Sequence, residues 1–169
     1  EGYYRTEAHE GVQTSTLRSA ITQQFPNDGY MVRAEVAKEI GYDRPGVGDA
    51  CDFAFGVALG RESSGKFYYK NKFTEKYRLS KNSIVRGEEN HDTAYRAFKI
   101  VINKIPKNIK KDTYIRKWLI ERSPVAVMVA AQNGFKWDGL KWYFSKYHRK
   151  HIISMGGARR LFALFDPRN

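Results

Sequence analysis

Two short segments of this chain share one spacing, and that spacing restricts the fold more than any other feature of the sequence. The first is Val36-Ala37-Lys38-Glu39-Ile40-Gly41-Tyr42 and the second is Val129-Ala130-Ala131-Gln132-Asn133-Gly134-Phe135. In each, an apolar residue precedes an Ala, a Gly follows that Ala four residues later, and an aromatic follows the Gly. Two helices that cross steeply leave room only for a small side chain at their closest contact, which Ala satisfies. The sharp turn between them needs positive φ, which Gly adopts without a Cβ clash. Val47 and Leu140 each fall six residues past the Gly, where the second helix of each pair is expected to point inward.

The chain around these turns reads as a succession of helices. Leu17, Ala20, Ile21 and Phe25 lie at helical spacing within 14–25, and Pro26 with Asn27-Asp28-Gly29 ends that helix. A second helix covers 32–40. The segment 46–60 fits a helical face through Val47, Cys51, Ala54, Phe55, Ala58 and Leu59, and equally a strand through Phe53, Phe55, Val57 and Leu59. The preceding turn favours helix. From Lys66 to Leu79 apolar and basic residues alternate strictly, the period of a strand, and a bend at Lys70-Asn71-Lys72 makes it a hairpin. Asp92 to Ile105 is an amphipathic helix with Tyr95, Phe98, Ile102 and Ile105 on one side. Asp112 is placed to cap a helix that reaches Arg122, and Ser123-Pro124 reads as the start of another over 124–133. Asp138 is placed to cap a helix over 139–151 with Leu140, Tyr143, Phe144 and Tyr147 as its buried stripe. Residues 151–154 and 160–165, divided by Gly156-Gly157, read as a second hairpin. The fold expected is mainly α with small β-hairpins: an arm at 1–13, one unit at 14–83, a connector helix at 84–107 and a second unit at 108–169.

Charge separates the two halves. Residues 1–85 hold 12 Lys and Arg against 11 Asp and Glu, whereas 86–169 hold 18 against 7, so the second half carries +11 of the formal +12. Such an excess calls for a polyanionic partner, of which a phosphate backbone is the commonest. No apolar run is long enough to cross a bilayer, and no basic-then-apolar leader begins the sequence, so neither a membrane anchor nor a signal peptide is expected. The single Cys51 excludes an internal disulfide and fits a reducing compartment, cytoplasmic or nucleoid-associated.

The order helix, helix, helix, hairpin, with a tight glycine turn between the second and third helices, resembles the winged-helix branch of the helix-turn-helix superfamily, here in tandem over about 130 residues. At Asn133 the second turn departs from the pattern, which has an apolar residue there. Tandem winged helices occur in plasmid replication initiators, in transcription regulators and in the recognition portions of some restriction enzymes. The resemblance therefore implies a sequence-preferring double-stranded DNA-binding protein of the regulator type, with no cofactor. It implies that the helix after Gly134 enters the major groove with Lys141, Ser145, His148 and Arg149 toward the bases, Lys136 and Trp137 at its start, and Lys146 beside them. Arg159 and Arg160 would form a wing tip. Lys107, Lys110 and Lys111 form a loop cluster suited to phosphate. In the first unit only the hairpin is basic, through Lys66, Lys70 and Lys72.

Enzymatic readings have less to rest on. Glu88, Glu89, His91 and Asp92 are the one local cluster of metal-ligand types, and with a divalent ion they would suit a nuclease. No acid stands two residues before a lysine, as a strand-borne nuclease motif usually has it. There is no phosphate-binding glycine loop and no nucleophile elbow. A third reading is an RNA-binding or polymerase-binding regulator that uses the aromatic, basic hairpin. Oligomeric state is not encoded in any motif of the sequence.

Overall fold

The computed structural model describes residues 10–13, 16–22, 31–42, 46–62, 67–70 and 92–166. They are mainly helical and divide between two compact units, one built from 1–46 and 51–81, the other from 47–50 and 82–169.

In the first unit, α1 (Thr16–Ile21) and α2 (Ala34–Ile40) both pack on α3 (Cys51–Glu62). Ile40, Phe55 and Ala58 are buried together, with Val32, Val36, Ala37 and Leu59 packed against them. The Val-Ala-x-x-Ile half of the motif thus faces the core. Gly41 ends α2 at φ 71°, in the region that an L side chain avoids, and its N–H donates to the Ala37 carbonyl at 3.0 Å. The helix over 46–60 is present as a 3-10 turn at Gly48–Ala50 followed by α3. Residues 1–13, expected as a loose arm, contribute β1 (Gly11–Gln13), which pairs antiparallel with β2 (Phe67–Tyr69) in the register Val12 to Tyr68. The first arm of the expected hairpin is therefore a strand, but its described partner lies far upstream in sequence. The expected second arm falls outside the described residues. The even-numbered Tyr68 is exposed, as the alternation requires, and its hydroxyl donates to Glu10 Oε1 at 3.2 Å.

The second unit is built on α5 (Thr113–Gln132), against which α4 (Thr93–Lys104), α6 (Lys136–Tyr143) and α8 (Met155–Phe165) pack. Asp112 caps α5 as expected, its Oδ1 accepting from the N–H groups of Tyr114 at 3.0 Å and Ile115 at 3.3 Å. The expected break at Ser123-Pro124 does not occur. Proline lacks the N–H that would reach Ile120 one turn back. The Ile120 carbonyl is bonded instead by Ser123 Oγ at 3.0 Å and by His151 Nε2 at 3.1 Å. The helix therefore runs through, and the small, apolar residues Ala126, Val127, Ala130 and Ala131 remain on its buried face.

At the far end the second glycine acts as the spacing predicts. Gly134 has φ 73°, the Phe135 N–H donates to the Ala130 carbonyl at 2.8 Å, and the Gly134 N–H donates to the Ala131 carbonyl at 3.2 Å. These are the two bonds of a Schellman ending. Asn133, the departure from the pattern, is exposed and folds its Nδ2 back on the Val129 carbonyl at 2.9 Å.

Beyond this turn the elements differ from the expectation. The helix over 139–151 is three pieces: α6, an irregular turn at 144–148, and α7 (Arg149–Ile152). Asp138 lies inside the first turn of α6 and does not cap it. The second hairpin is absent, since 155–165 is helical. Ser154 Oγ accepts from the Gly157 N–H at 2.9 Å and so caps α8, while Gly157, Arg160, Leu161 and Leu164 form its inner, more buried face at helical spacing. The glycine pair that reads as a turn is the first turn of a helix pressed against preceding backbone. A Cβ on Gly157 would meet the carbonyl oxygens of Ile152 and His151, whereas one on Gly156 would meet only the side-chain end of Arg160, at 3.2 Å. Gly157→Ala is expected to destabilise the unit by about 2 kcal/mol in urea unfolding. Gly156→Ala is expected to stay within about 1 kcal/mol of the parent. Equal effects would mean that the close approach at 157 is wrong. Among the described residues no helix is long and apolar enough to cross a membrane.

Candidate nucleic-acid interface

The basic residues of the second unit are drawn into one groove by three separate segments. The loop after α4 brings Lys107, Lys110 and Lys111, α6 brings Lys141, and the turn after α6 brings Ser145 and Lys146. Ile102, Trp142 and Tyr147 supply the apolar part of the lining of this groove, whose volume is about 400 Å³. Five amines thus line one concavity in which no carboxylate takes part among the described residues. Lys110 Nζ donates to the Ile102 carbonyl at 2.6 Å. Burial pushes the Lys110 ammonium below the ordinary lysine range, and the charges of Lys146 and Lys107 add to that effect. Lys146 Nζ lies 5.1 Å from the centre of the Tyr147 ring. The hydroxyl of Ser145 is sealed from solvent and makes no hydrogen bond among the described residues, so it does not face a ligand as the expected base contact requires.

The nearest acid on α6 is already neutralised. Asp138 Oδ2 accepts from Tyr95 Oη at 2.6 Å and from Lys99 Nζ at 2.9 Å, and Lys99 also donates to Tyr95 Oη at 2.7 Å. Tyr95 in turn stacks on Phe135, ring centres 4.3 Å apart, which fixes the start of α6 against α4.

The sequence had placed the lysine loop and the helix after Gly134 as two features, and the structure brings them to one groove. It removes other residues from the base-contacting set. His148 has 0% of its surface exposed. Arg160 Nε donates to His148 Nε2 at 3.3 Å and Arg160 Nη2 to the His151 carbonyl at 3.1 Å. With Nε2 accepting, the proton of the neutral ring sits on Nδ1 and is donated to Ser123 Oγ at 3.2 Å. Burial first, then the charges of Arg160 and His151, pull His148 down to about 4. His148 and Arg160 are thus interior braces, and no wing tip exists for Arg159 and Arg160. Arg159 is exposed on α8 and Arg149 is exposed on α7. Lys136 reaches the Asp166 carbonyl at 3.0 Å, away from the lining of the groove. Trp137 is exposed at the start of α6, and so is Phe144 at its end, where a buried position was expected. The helix stops at Tyr143, so Phe144 leaves the inward stripe.

In the first unit Lys70 is exposed just after β2, while Lys66 and Lys72 lie outside the described residues. So do Glu88, Glu89 and His91. Asp92, the remaining member of that cluster, pairs with Arg96 one turn on, Oδ2 to Nη2 at 2.6 Å, and its side chain does not cap α4. No group of three or more metal-ligand side chains occurs among the described residues. Comparison of the chain with protein-family models, with curated proteins and with solved structures found no match.

Proposed function

We propose that the second unit binds DNA, holding the sugar–phosphate backbone in the lysine groove. The observation that carries this reading is the convergence of Lys107, Lys110, Lys111, Lys141 and Lys146 on one concavity with no acid among them. Unpaired amines that repel one another lose free energy when a phosphate enters, and the counterions released from DNA add the entropic term. Lysines are compact point charges that position a backbone without reading its sequence. The turn α5–Gly134–α6 supports the helix-turn-helix part of the resemblance. It sets α6 beside the groove, so that Lys141 belongs to both.

A fluorescein-labelled 30-base-pair duplex titrated by anisotropy tests the proposal. Five phosphate contacts give a log–log salt slope of about −4.5, a loss of about five-hundredfold in affinity between about 50 and 200 mM salt. Lys110→Ala lowers that slope by about 1 and weakens unrelated sequences alike. An affinity that ignores salt, or a Lys110→Ala variant that binds like the parent, would overturn the proposal.

A further inference from the structure

We infer that the outer face of α6 stacks unpaired bases of a DNA strand whose backbone lies in the lysine groove, so that the preferred partner carries a single-stranded segment. This rests on the DNA-binding reading and narrows it. Trp137 is 85% exposed and Phe144 is 69% exposed. Trp137 and Lys141 stand one turn apart on α6, and Phe144 is the residue that follows its last turn. Large aromatics left in water at both ends of one short helix cost hydration free energy, and among the described residues Phe144 meets the core only edge-on at Tyr143, ring centres 5.1 Å apart. The cation between them is a lining residue of the groove, so the aromatic face and the phosphate-binding face share an edge.

That combination suits a strand and does not suit the floor of a major groove. Stacking needs the flat face of a base, which is hidden within a continuous duplex and free in a single strand. A helix that reads a major groove presents hydrogen-bond donors and acceptors to base edges. Here α6 presents an indole and an ammonium, and the residue after it a phenyl ring. Backbone in a basic channel with bases on adjacent rings is the arrangement of sequence-tolerant single-strand recognition, and each stacked base contributes enough that losing its ring is read as about a tenfold change in affinity.

Tryptophan fluorescence provides the direct measurement. Trp118 is 9% exposed, and Trp142 is 3% exposed but lines the groove, so the part of the change on adding DNA that is lost in Trp137→Phe reports Trp137. Titration with a single-stranded thymidine 20-mer is expected to quench the emission, and a blunt duplex of equal length to leave it nearly unchanged. By anisotropy, Trp137→Ala and Phe144→Ala each weaken single-strand binding about tenfold and duplex binding less than twofold. Trp137→Phe restores most of the single-strand affinity, because a ring remains. The inference fails if Trp137→Ala weakens duplex and single strand alike, as a wedge inserted between base pairs would. It fails also if neither variant changes either affinity, or if an RNA 20-mer of the same sequence binds far more tightly than the DNA. The DNA-binding reading survives the first two results provided that salt and Lys110→Ala still act on the duplex; absence of binding to every DNA ends both.

Discussion

Reversing two charges in the groove, Lys110→Glu with Lys146→Glu, is expected to lower the affinity for a DNA duplex by roughly a hundredfold or more at moderate salt, and to flatten its salt dependence by about two contacts. Lys110 and Lys146 both line the groove, so the two amines face a common anion bound there. Replacing both with carboxylates removes two attractions and installs two repulsions on the same phosphates. The control is Arg116→Glu with Lys117→Glu, which changes the net charge equally on the exposed side of α5, at a shallow depression lined also by Thr113, Ile120, Glu121 and Lys150. That variant loses only the long-range field of the protein, a several-fold effect on association. Equal losses for the two doubles would assign the affinity to net charge and not to the groove. Circular dichroism of both at pH 7 verifies that the helices persist.

The second unit is also expected to lose about 3 kcal/mol of stability as pH falls from about 6.5 to about 4. His148 is fully buried and accepts from Arg160, donates to Ser123, and lies against Tyr143 with ring centres 5.0 Å apart and His151 with ring centres 5.5 Å apart. Its pKa falls from the ordinary 6.5 to about 4 in the folded chain. The unfolded chain therefore takes up a proton in that window which the folded chain refuses. The contribution is complete above about pH 6.5, shrinks as pH falls through the window, and is gone below about 4. Urea unfolding at pH 7, 5.5 and 4.5 measures it. His148→Phe keeps a ring but cannot titrate. Its stability at pH 7 is lower, because Arg160 Nε and Ser123 Oγ each lose one hydrogen-bond partner, and its pH profile across the window is flatter. A variant profile parallel to the parent would show that His148 is not the group responsible.

What the sequence made legible was local. Gly41 and Gly134 were readable because only glycine takes positive φ freely, and the alanine four residues before each packs where the crossing requires. The helical period of α4 and the cap at Asp112 were readable for the same reason, since each depends on neighbours within a few residues, whereas the period of 46–60 fitted helix and strand equally and only the preceding turn favoured the helix α3. The errors arose where a distant partner decides the outcome. Ser123-Pro124 carries a start signal, and only the side chain of His151 together with the Ser123 hydroxyl lets α5 ignore it. Gly156-Gly157 looks like a turn until the backbone of 151–152 is seen against it. His148 sits among Lys and Arg in sequence and is enclosed in space. The groove itself joins residues from 107 to 146, and nothing in their spacing states that they meet. Phe144 was placed inside by helical period and lies outside because the period ends one residue earlier.

The gap at Pro124 has a consequence for the order of assembly. During synthesis, α5 emerges with one main-chain acceptor that its own next turn has no hydrogen to fill. The Ser123 hydroxyl offers a stopgap from within the same turn, but the imidazole that completes the site is 31 residues downstream of Ile120. The Ile120 carbonyl thus gains its second partner only once residue 151 has been made and has folded back. A nascent chain halted before His151 leaves that carbonyl with the serine hydroxyl alone.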